Sequence, residues 1–156
     1  MTDDAVEYAG FWVRVGAFVI DSVLLLCVLV PVLVAIYGWA YFDVSKAGSM
    51  AGLADFLLSW VAPALAVVAF WLYRQATPGK MALGMRVVDA KTGNTLTVAQ
   101  SIVRYLGYYL STIPFGLGLI WVGLDPKKQG WHDKLAGSVV VRKKSAAAQP
   151  VSFGKE

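Results

Sequence analysis

Two charged side chains lie in the first apolar run of the sequence, where burial of charge is most costly. Arg14 is near the start of WVRVGAFVIDSVLLLCVLV, residues 12–30, and Asp21 is well inside it. Ionisable residues within membrane segments are rare and mark ion or proton pathways. A carboxylate without a cationic partner in such a site exchanges protons near neutrality, whereas ion pairing opposes this. Asp21 is therefore a candidate proton or cation exchange site, and a structural ion pair is the alternative.

The spacing of Arg14 and Asp21 predicts that they do not pair with each other. Seven residues place them on nearly the same helical face, but about 10 Å apart along the axis. The Arg14 side chain also leans toward the helix N-terminus, away from Asp21. We expect Arg104 to be the partner of Asp21, because it enters the membrane from the same basic side. We expect Asp133 or Asp125 to reach Arg14.

The composition predicts an all-α membrane protein. The chain of 156 residues is 58% hydrophobic and only 15% charged. Residues 22–42, 56–73 and 105–124 contain no Asp, Glu, Lys or Arg, and a spanning helix needs about 20 apolar residues. We predict two transmembrane helices, at about residues 11–37 and 53–73, and a third membrane-embedded segment at 98–124.

The distribution of Lys and Arg predicts the topology. Relative to the three charge-free stretches, one (Arg14) precedes residues 22–42, one lies between the first and second stretches, five lie between the second and third, and seven follow the third. Cytoplasmic loops carry the excess of these residues. The first two helices should therefore form a hairpin in the plasma (inner) membrane, with both termini cytoplasmic and residues 38–52 outside. The basic face would contact the anionic inner leaflet, so the positive charge gives no reason to expect nucleic-acid binding.

The third run is flanked by basic segments on both sides, which a simple crossing would separate. Its first half is amphipathic, and Pro114, Gly116 and Gly118 then interrupt it. Irregular backbone at membrane depth is tolerated where protein surrounds it. We predict a re-entrant or interfacial helical hairpin, with a kinked full span as the alternative.

The segments around the third run predict a small cytoplasmic β-hairpin or sheet. In the loop 74–97, Thr77 and Pro78 form a helix-start signal. GMRVVDAKTGNTLTV, which follows it, has the pattern of two strands joined by a Gly-Asn turn. GSVVVRK near the C-terminus is a third candidate strand. Residues 143–156 are predicted to be a disordered basic tail.

The remaining motifs do not predict an enzyme. TPGK lacks the spacing of a phosphate-binding loop. His132 is the only histidine and Cys27 the only cysteine, whereas a catalytic zinc usually takes three protein ligands. No serine or cysteine is accompanied by a recognisable base and orienting partner. We therefore assign no catalytic, cofactor-binding or metal-binding residues, and expect His132 to make a structural hydrogen bond.

Three stretches carry a family resemblance: GFWVRVGAFVID, TPGKMALGMRVVDA and DPKKQGWHDKLAGSVVVR. In combination they resemble the RDD family of small bacterial membrane proteins, named for one arginine and two aspartates. The resemblance covers residues 10–142. It implies that the signature residues are Arg14, Asp21 and Asp133, with Asp125 as the alternative for the last.

The resemblance implies a polytopic plasma-membrane protein, and cation–proton antiport has been attached to some members of the family. One hypothesis is therefore an oligomer that moves Na⁺ or another monovalent cation against protons, with Asp21 as the exchange site. The alternative is a non-transporting assembly or interaction module whose intramembrane charges are structural. Transport requires a homo-oligomer, because three segments hardly enclose a water-lined path. The assembly alternative instead predicts a partner membrane protein or a second copy, docked by the cytoplasmic β-segment and the C-terminal helix.

Overall fold

A computed structural model of the chain describes residues 6–43 and 52–143. The predicted tail therefore lies outside the described residues except for Lys143, which ends a strand. The predicted fold class is confirmed: the chain is mostly helical, with two candidate spans, a bent helix pair and a small sheet.

The first span is α1 (Phe11–Tyr37), an unbroken helix of 27 residues. At 1.5 Å per residue it is about 40 Å long, enough to cross a hydrocarbon core of about 30 Å. The second span, Leu53–Arg74, has 22 residues. It consists of α2 (Leu53–Phe56), a π-helical turn (Leu57–Val61) and α3 (Ala62–Arg74).

A 3-10 turn at Trp39–Phe42 follows α1 at the predicted outer end of the hairpin. The Tyr41 hydroxyl donates to Asp55 Oδ1 at 2.5 Å, and Ser59 Oγ donates to the same oxygen at 2.9 Å. Asp55 lies in the first turn of α2 and is buried. Its carboxylate therefore links the turn after α1 to the start of the second span.

Three strands form an antiparallel sheet in the order β1-β3-β2. They are β1 (Val6–Tyr8), β2 (Met85–Asp89) and β3 (Ser138–Lys143). Strand β3 pairs with β1 through Glu7 opposite Arg142, and with β2 through Val87 opposite Val140. The chain thus joins its beginning, its middle loop and its end in one sheet.

The predicted hairpin after Met85 is wrong, although its first strand exists as β2. The residues expected to form the second strand lead into a helix, because Thr97 caps α5 (Val98–Thr112). Gln100 N donates to Thr97 Oγ1, and Thr97 N donates back to Gln100 Oε1. This reciprocal capping box satisfies free donors at the helix start, and β2 pairs with β3 instead.

The third membrane-embedded segment is bent by 114° between Val98–Thr112 and Leu117–Gly123. Phe115 and Gly116 at the bend both have positive φ angles, of 52° and 74°. The returning arm comprises α6 (Leu117–Ile120) and a 3-10 turn (Trp121–Gly123). A Cβ on Gly118 would lie 2.7 Å from Ser111 Cα, so only glycine allows the two arms to approach this closely.

The sheet pairing restricts how this bent segment meets the membrane. Strand β2 precedes the segment and β3 follows it, and the two strands are hydrogen-bonded neighbours. They must therefore lie on the same side of the bilayer, since an open sheet edge does not form in hydrocarbon. The pairing favours the first of the two predicted alternatives, a re-entrant or interfacial hairpin, beside two full crossings. We call this hairpin the re-entrant segment.

Candidate functional site

A short helix after the re-entrant segment carries a fully buried carboxylate. This helix is α7 (Trp131–Leu135), and Asp133 in it has no exposed surface. Arg14 Nη1 contacts Asp133 Oδ2 at 2.5 Å, and Arg104 Nη1 contacts Asp133 Oδ1. Arg104 Nη1 also donates to Ser138 Oγ at 2.5 Å. We call Arg14, Arg104, Asp133 and Ser138 the Asp133 cluster.

The electrostatics of the cluster keep Asp133 ionised. Burial on its own raises the pKa of the Asp133 carboxyl, but the charges of Arg104 and Arg14 hold this pKa well below its usual range. The Gly130 N–H donates to Oδ2 at 3.0 Å and favours the charged form further. One carboxylate thus neutralises part of the charge of two guanidinium groups from different segments.

Arg14 connects three parts of the chain through its guanidinium group. Besides Asp133, its Nε donates to the Ala9 carbonyl at 3.0 Å and its Nη2 donates to the Lys128 carbonyl at 2.5 Å. Ala9 follows β1, and Lys128 lies in the loop before α7. The first turn of α1 is therefore fixed to the sheet and to the loop between the re-entrant segment and α7. Of the two partners predicted for Arg14, the structure places Asp133 against it.

The predicted pair of Asp21 with Arg104 does not form. Arg104 is fully buried and contacts Asp133, and its guanidinium carbon lies 5.1 Å from the Trp71 ring centroid and 5.9 Å from that of Tyr108. Helix α7 brings Asp133 to Arg104, whereas α4 (Pro78–Ala82) packs against α1 beside Asp21. Sequence spacing does not reveal either placement, because both depend on tertiary packing.

Asp21 instead accepts two hydrogen bonds from the TPGK segment. Thr77 Oγ1 donates to Asp21 Oδ2 at 2.6 Å, and the Gly79 N–H donates to Oδ1 at 2.6 Å. Thr77 is the N-cap of α4 as predicted, but its hydroxyl makes no capping hydrogen bond. Lys80 Nζ lies 3.5 Å from the Thr77 hydroxyl. The carboxylate thus holds α4 against the first span.

Gly79 is required for this contact by its lack of a side chain. A Cβ at this position would lie 2.2 Å from the Ala17 carbonyl oxygen and 2.9 Å from Asp21 Cγ. Thr77 and Gly79 were missed as partners of Asp21 from the sequence. The available signal was the combination of a hydroxyl and a free backbone N–H at the start of a helix, both of which favour a carboxylate.

Asp125, the alternative signature residue, contacts residues of its own loop and of α7 rather than Arg14. Its Oδ1 contacts Lys134 Nζ at 2.5 Å, and its Oδ2 accepts from the Lys127 and Gln129 N–H groups at 3.1 Å each. Burial raises the pKa of Asp125, but the Lys134 hydrogen bond and these N–H donors lower it below its usual value. Asp125 therefore fixes the turn before α7.

His132 makes the structural contacts expected of it. Its ring Nδ1 lies 3.3 Å from Ser111 Oγ, its backbone N–H donates to the same oxygen at 3.1 Å, and its ring stacks on Tyr108 with centroids 4.0 Å apart. Burial lowers the pKa of His132 to about 3, so the imidazole is neutral at pH 7. Across residues 6–43 and 52–143, no three His, Cys, Asp or Glu side chains are grouped to hold a metal ion.

Replacing Gly79 with alanine is expected to destabilise the protein by about 1–3 kcal/mol, the usual cost of overpacking. The new Cβ must push α4 away from Ala17 and lengthen the hydrogen bond to Asp21. The measurement is the free energy of unfolding in detergent micelles. Gly123→Ala is the matched control, because no atom of residues 6–43 or 52–143 lies within 4 Å of its Cβ position. Equal stability of the two variants would contradict the close contact.

Comparison with known proteins identifies the family of the chain. The model of the RDD family matches residues 8–137. The uncharacterised membrane protein YteJ of Bacillus subtilis is 34% identical over 139 residues, covering 88% of this chain and 82% of YteJ. The uncharacterised protein YxaI of the same organism is 32% identical, covering 86% of this chain and 97% of YxaI.

A further relative matches only part of its own length. An uncharacterised protein of Rickettsia prowazekii is 41% identical over 75 residues, covering 48% of this chain and 41% of that protein. No solved structure matches the chain. The family model covers most of the chain, including Arg14, Asp21, Arg104 and Asp133. The chain is therefore a membrane protein that belongs to the RDD family.

Proposed function

We propose that the protein is a non-enzymatic, non-transporting membrane assembly module whose buried charges are structural. The observation that carries the proposal is how the three signature residues are used. Asp133 contacts Arg14 and Arg104, and Asp21 accepts from Thr77 and Gly79. Each contact joins segments that are distant in sequence, so the charges fasten the fold.

The membrane-facing surfaces supply the place where a partner would bind. Val23, Leu24, Leu25 and Leu26 are consecutive in α1 and are 44–56% exposed. Successive helical residues point 100° apart, so α1 is bare on every side at this level. In the most apolar 18-residue stretch of each span, only 6% of the residues are buried within the chain. This exposure supports assembly with a second copy or another membrane protein, and it argues against a water-lined path within one chain.

The proposed location is the plasma membrane, with the sheet and both termini at the cytoplasmic face. Lys and Arg are concentrated in the segments that follow each of the later apolar runs. The sheet joins the residues before α1 to those after α7. Placing these basic segments at the inner leaflet satisfies the preference of cytoplasmic loops for positive charge.

The single cysteine provides a test of assembly. Cys27 is exposed on α1, so a short membrane-permeant bis-maleimide is expected to link it to a second copy or to a partner cysteine in native membranes. One product of defined mass is expected, and it should be absent in Cys27→Ser. A control variant carries Leu65→Cys in the Cys27→Ser background, because Leu65 is 66% exposed on the second span.

Random collision in the membrane would give a different cross-linking result from specific assembly. A product no stronger from Cys27 than from Leu65→Cys, and lost when lipid dilutes the protein, would reflect random collision. That outcome would contradict assembly through α1. Analysis of the product by mass spectrometry distinguishes a second copy from another protein.

Cation–proton antiport by an oligomer, with Asp21 exchanging Na⁺ and H⁺, is the second candidate function. One observation favours it: Asp21 is only partly buried on a spanning helix. The two donors on its oxygens favour the structural role, so we expect no sodium-driven proton flux in proteoliposomes. Flux in the wild type that is lost in Asp21→Asn would overturn the assembly proposal, because the introduced amide retains one hydrogen-bond acceptor.

A further inference from the structure

A groove of about 450 Å³ lies between the start of α1 and the returning arm of the re-entrant segment. Its apolar walls include Trp12, Ile120 and Leu124, which are 80%, 51% and 76% exposed. Gly123 and Lys128 also line it. The volume is within the range of small-molecule sites, which is roughly 300–1,000 Å³. The groove is thus an apolar slot with an ammonium group on its wall.

Two features make the groove favourable for a negative charge. Lys128 contributes an ammonium group, whose Nζ lies 3.1 Å from the Gly123 carbonyl. The groove also includes Gly10, Phe11 and Trp12, at the N-terminus of the 27-residue helix α1. No acidic side chain lies in the first turn of α1, and no side chain caps it. Free N–H groups and the helix dipole at such a terminus attract anions.

The Asp133 cluster holds Lys128 at the groove. The Lys128 carbonyl accepts from Arg14 Nη2 at 2.5 Å, and its N–H donates to the Asp125 carbonyl at 3.0 Å. Lys128 also has a φ angle of 50°, which few non-glycine residues adopt. The nearby carboxylates are engaged elsewhere, Asp133 with Arg14 and Asp125 with Lys134.

The depth of the groove decides the source of the anion. The groove lies at the end of α1 that adjoins the sheet, and the sheet is outside the hydrocarbon. Trp12 is an exposed ring of the kind that favours the membrane–water interface. We therefore expect an apolar slot at this end of α1 to face acyl chains, and the positive group beside it to face lipid phosphates.

We propose that the groove is a binding site for one anionic phospholipid. The phosphate lies between the Lys128 ammonium and the N-terminus of α1, and an acyl chain follows Trp12, Ile120 and Leu124. The site does not depend on the assembly proposal, because its lining comes from one chain.

Native mass spectrometry of the detergent-solubilised protein, after exchange into mixed phosphatidylglycerol and phosphatidylcholine, tests the site. The wild type is expected to retain one phosphatidylglycerol in preference to phosphatidylcholine. Lys128→Gln should reduce that preference about fivefold, the effect of one basic residue at an anionic surface. Gly123→Leu should reduce retention of both lipids, because its side chain enters open space in the groove.

Lys91→Gln is the matched control, since Lys91 is an exposed lysine in the turn after β2 and lies outside the groove lining. It should retain phosphatidylglycerol like the wild type. Equal loss in Lys91→Gln and Lys128→Gln, or equal retention of the two lipids by the wild type, would overturn the proposal. Thermal stabilisation by inorganic phosphate equal to that by phosphatidylglycerol, and abolished in Lys128→Gln, would also overturn it in favour of a free-anion site.

Discussion

The fold depends on one buried carboxylate that meets two arginines. Removing charges from water costs several kcal/mol per ion, and only close pairing with further hydrogen bonds offsets this. Asp133 supplies the negative charge for Arg14 and Arg104. Ser138 accepts a hydrogen bond from Arg104, and the Gly130 N–H donates one to Asp133. The Trp71 and Tyr108 rings near the Arg104 guanidinium add cation–π attraction in place of water. The first span, the re-entrant helix and α7 are consequently joined at one point.

This constraint explains how so short a membrane domain has a defined shape. Few residues of the two spans are fully buried, so packing between them within one chain contributes little order. Order comes from the end of the domain that holds the sheet, where β1, β2 and β3 bring three distant segments together. Asp21 adds a second attachment by holding α4 against α1. The Asp133 and Asp21 carboxylates both hold segments together that are distant in sequence. This structural use is the basis for preferring assembly over transport.

The sequence predicted those parts of the fold that depend on local composition. Apolar length located both spans, and Pro114 with Gly116 marked the bend that returns the third segment. The valines near residue 140 indicated β3. The prediction of a second hairpin strand was wrong because Thr97 and Gln100 form a capping box. Local helix capping there outweighs strand propensity. Strand β1, at Val6–Tyr8, was missed because three residues give no periodicity to detect.

The sequence identified the charged residues of the site but predicted only some of the contacts between them. Arg14, Asp21, Arg104 and Asp133 stood out because charge is rare in such a chain, and Asp133 was one of two partners considered for Arg14. The partner predicted for Arg104 was wrong, because charge and membrane depth do not determine which short helix packs against which span. The donors to Asp21 were missed because one of them is a backbone N–H, which every residue except proline carries.

A double-mutant cycle on Asp133 and Arg104 tests the central claim most directly. In detergent unfolding, Asp133→Asn is expected to lower the free energy of unfolding by about 3–5 kcal/mol, because it leaves buried arginines uncompensated. Adding Arg104→Gln should cost much less than its single effect, giving a coupling of about 1–3 kcal/mol. Asp125→Asn, whose partner Lys134 is 45% exposed, should cost about 1 kcal/mol or less. Additive effects, with Asp133→Asn no worse than Asp125→Asn, would contradict the account.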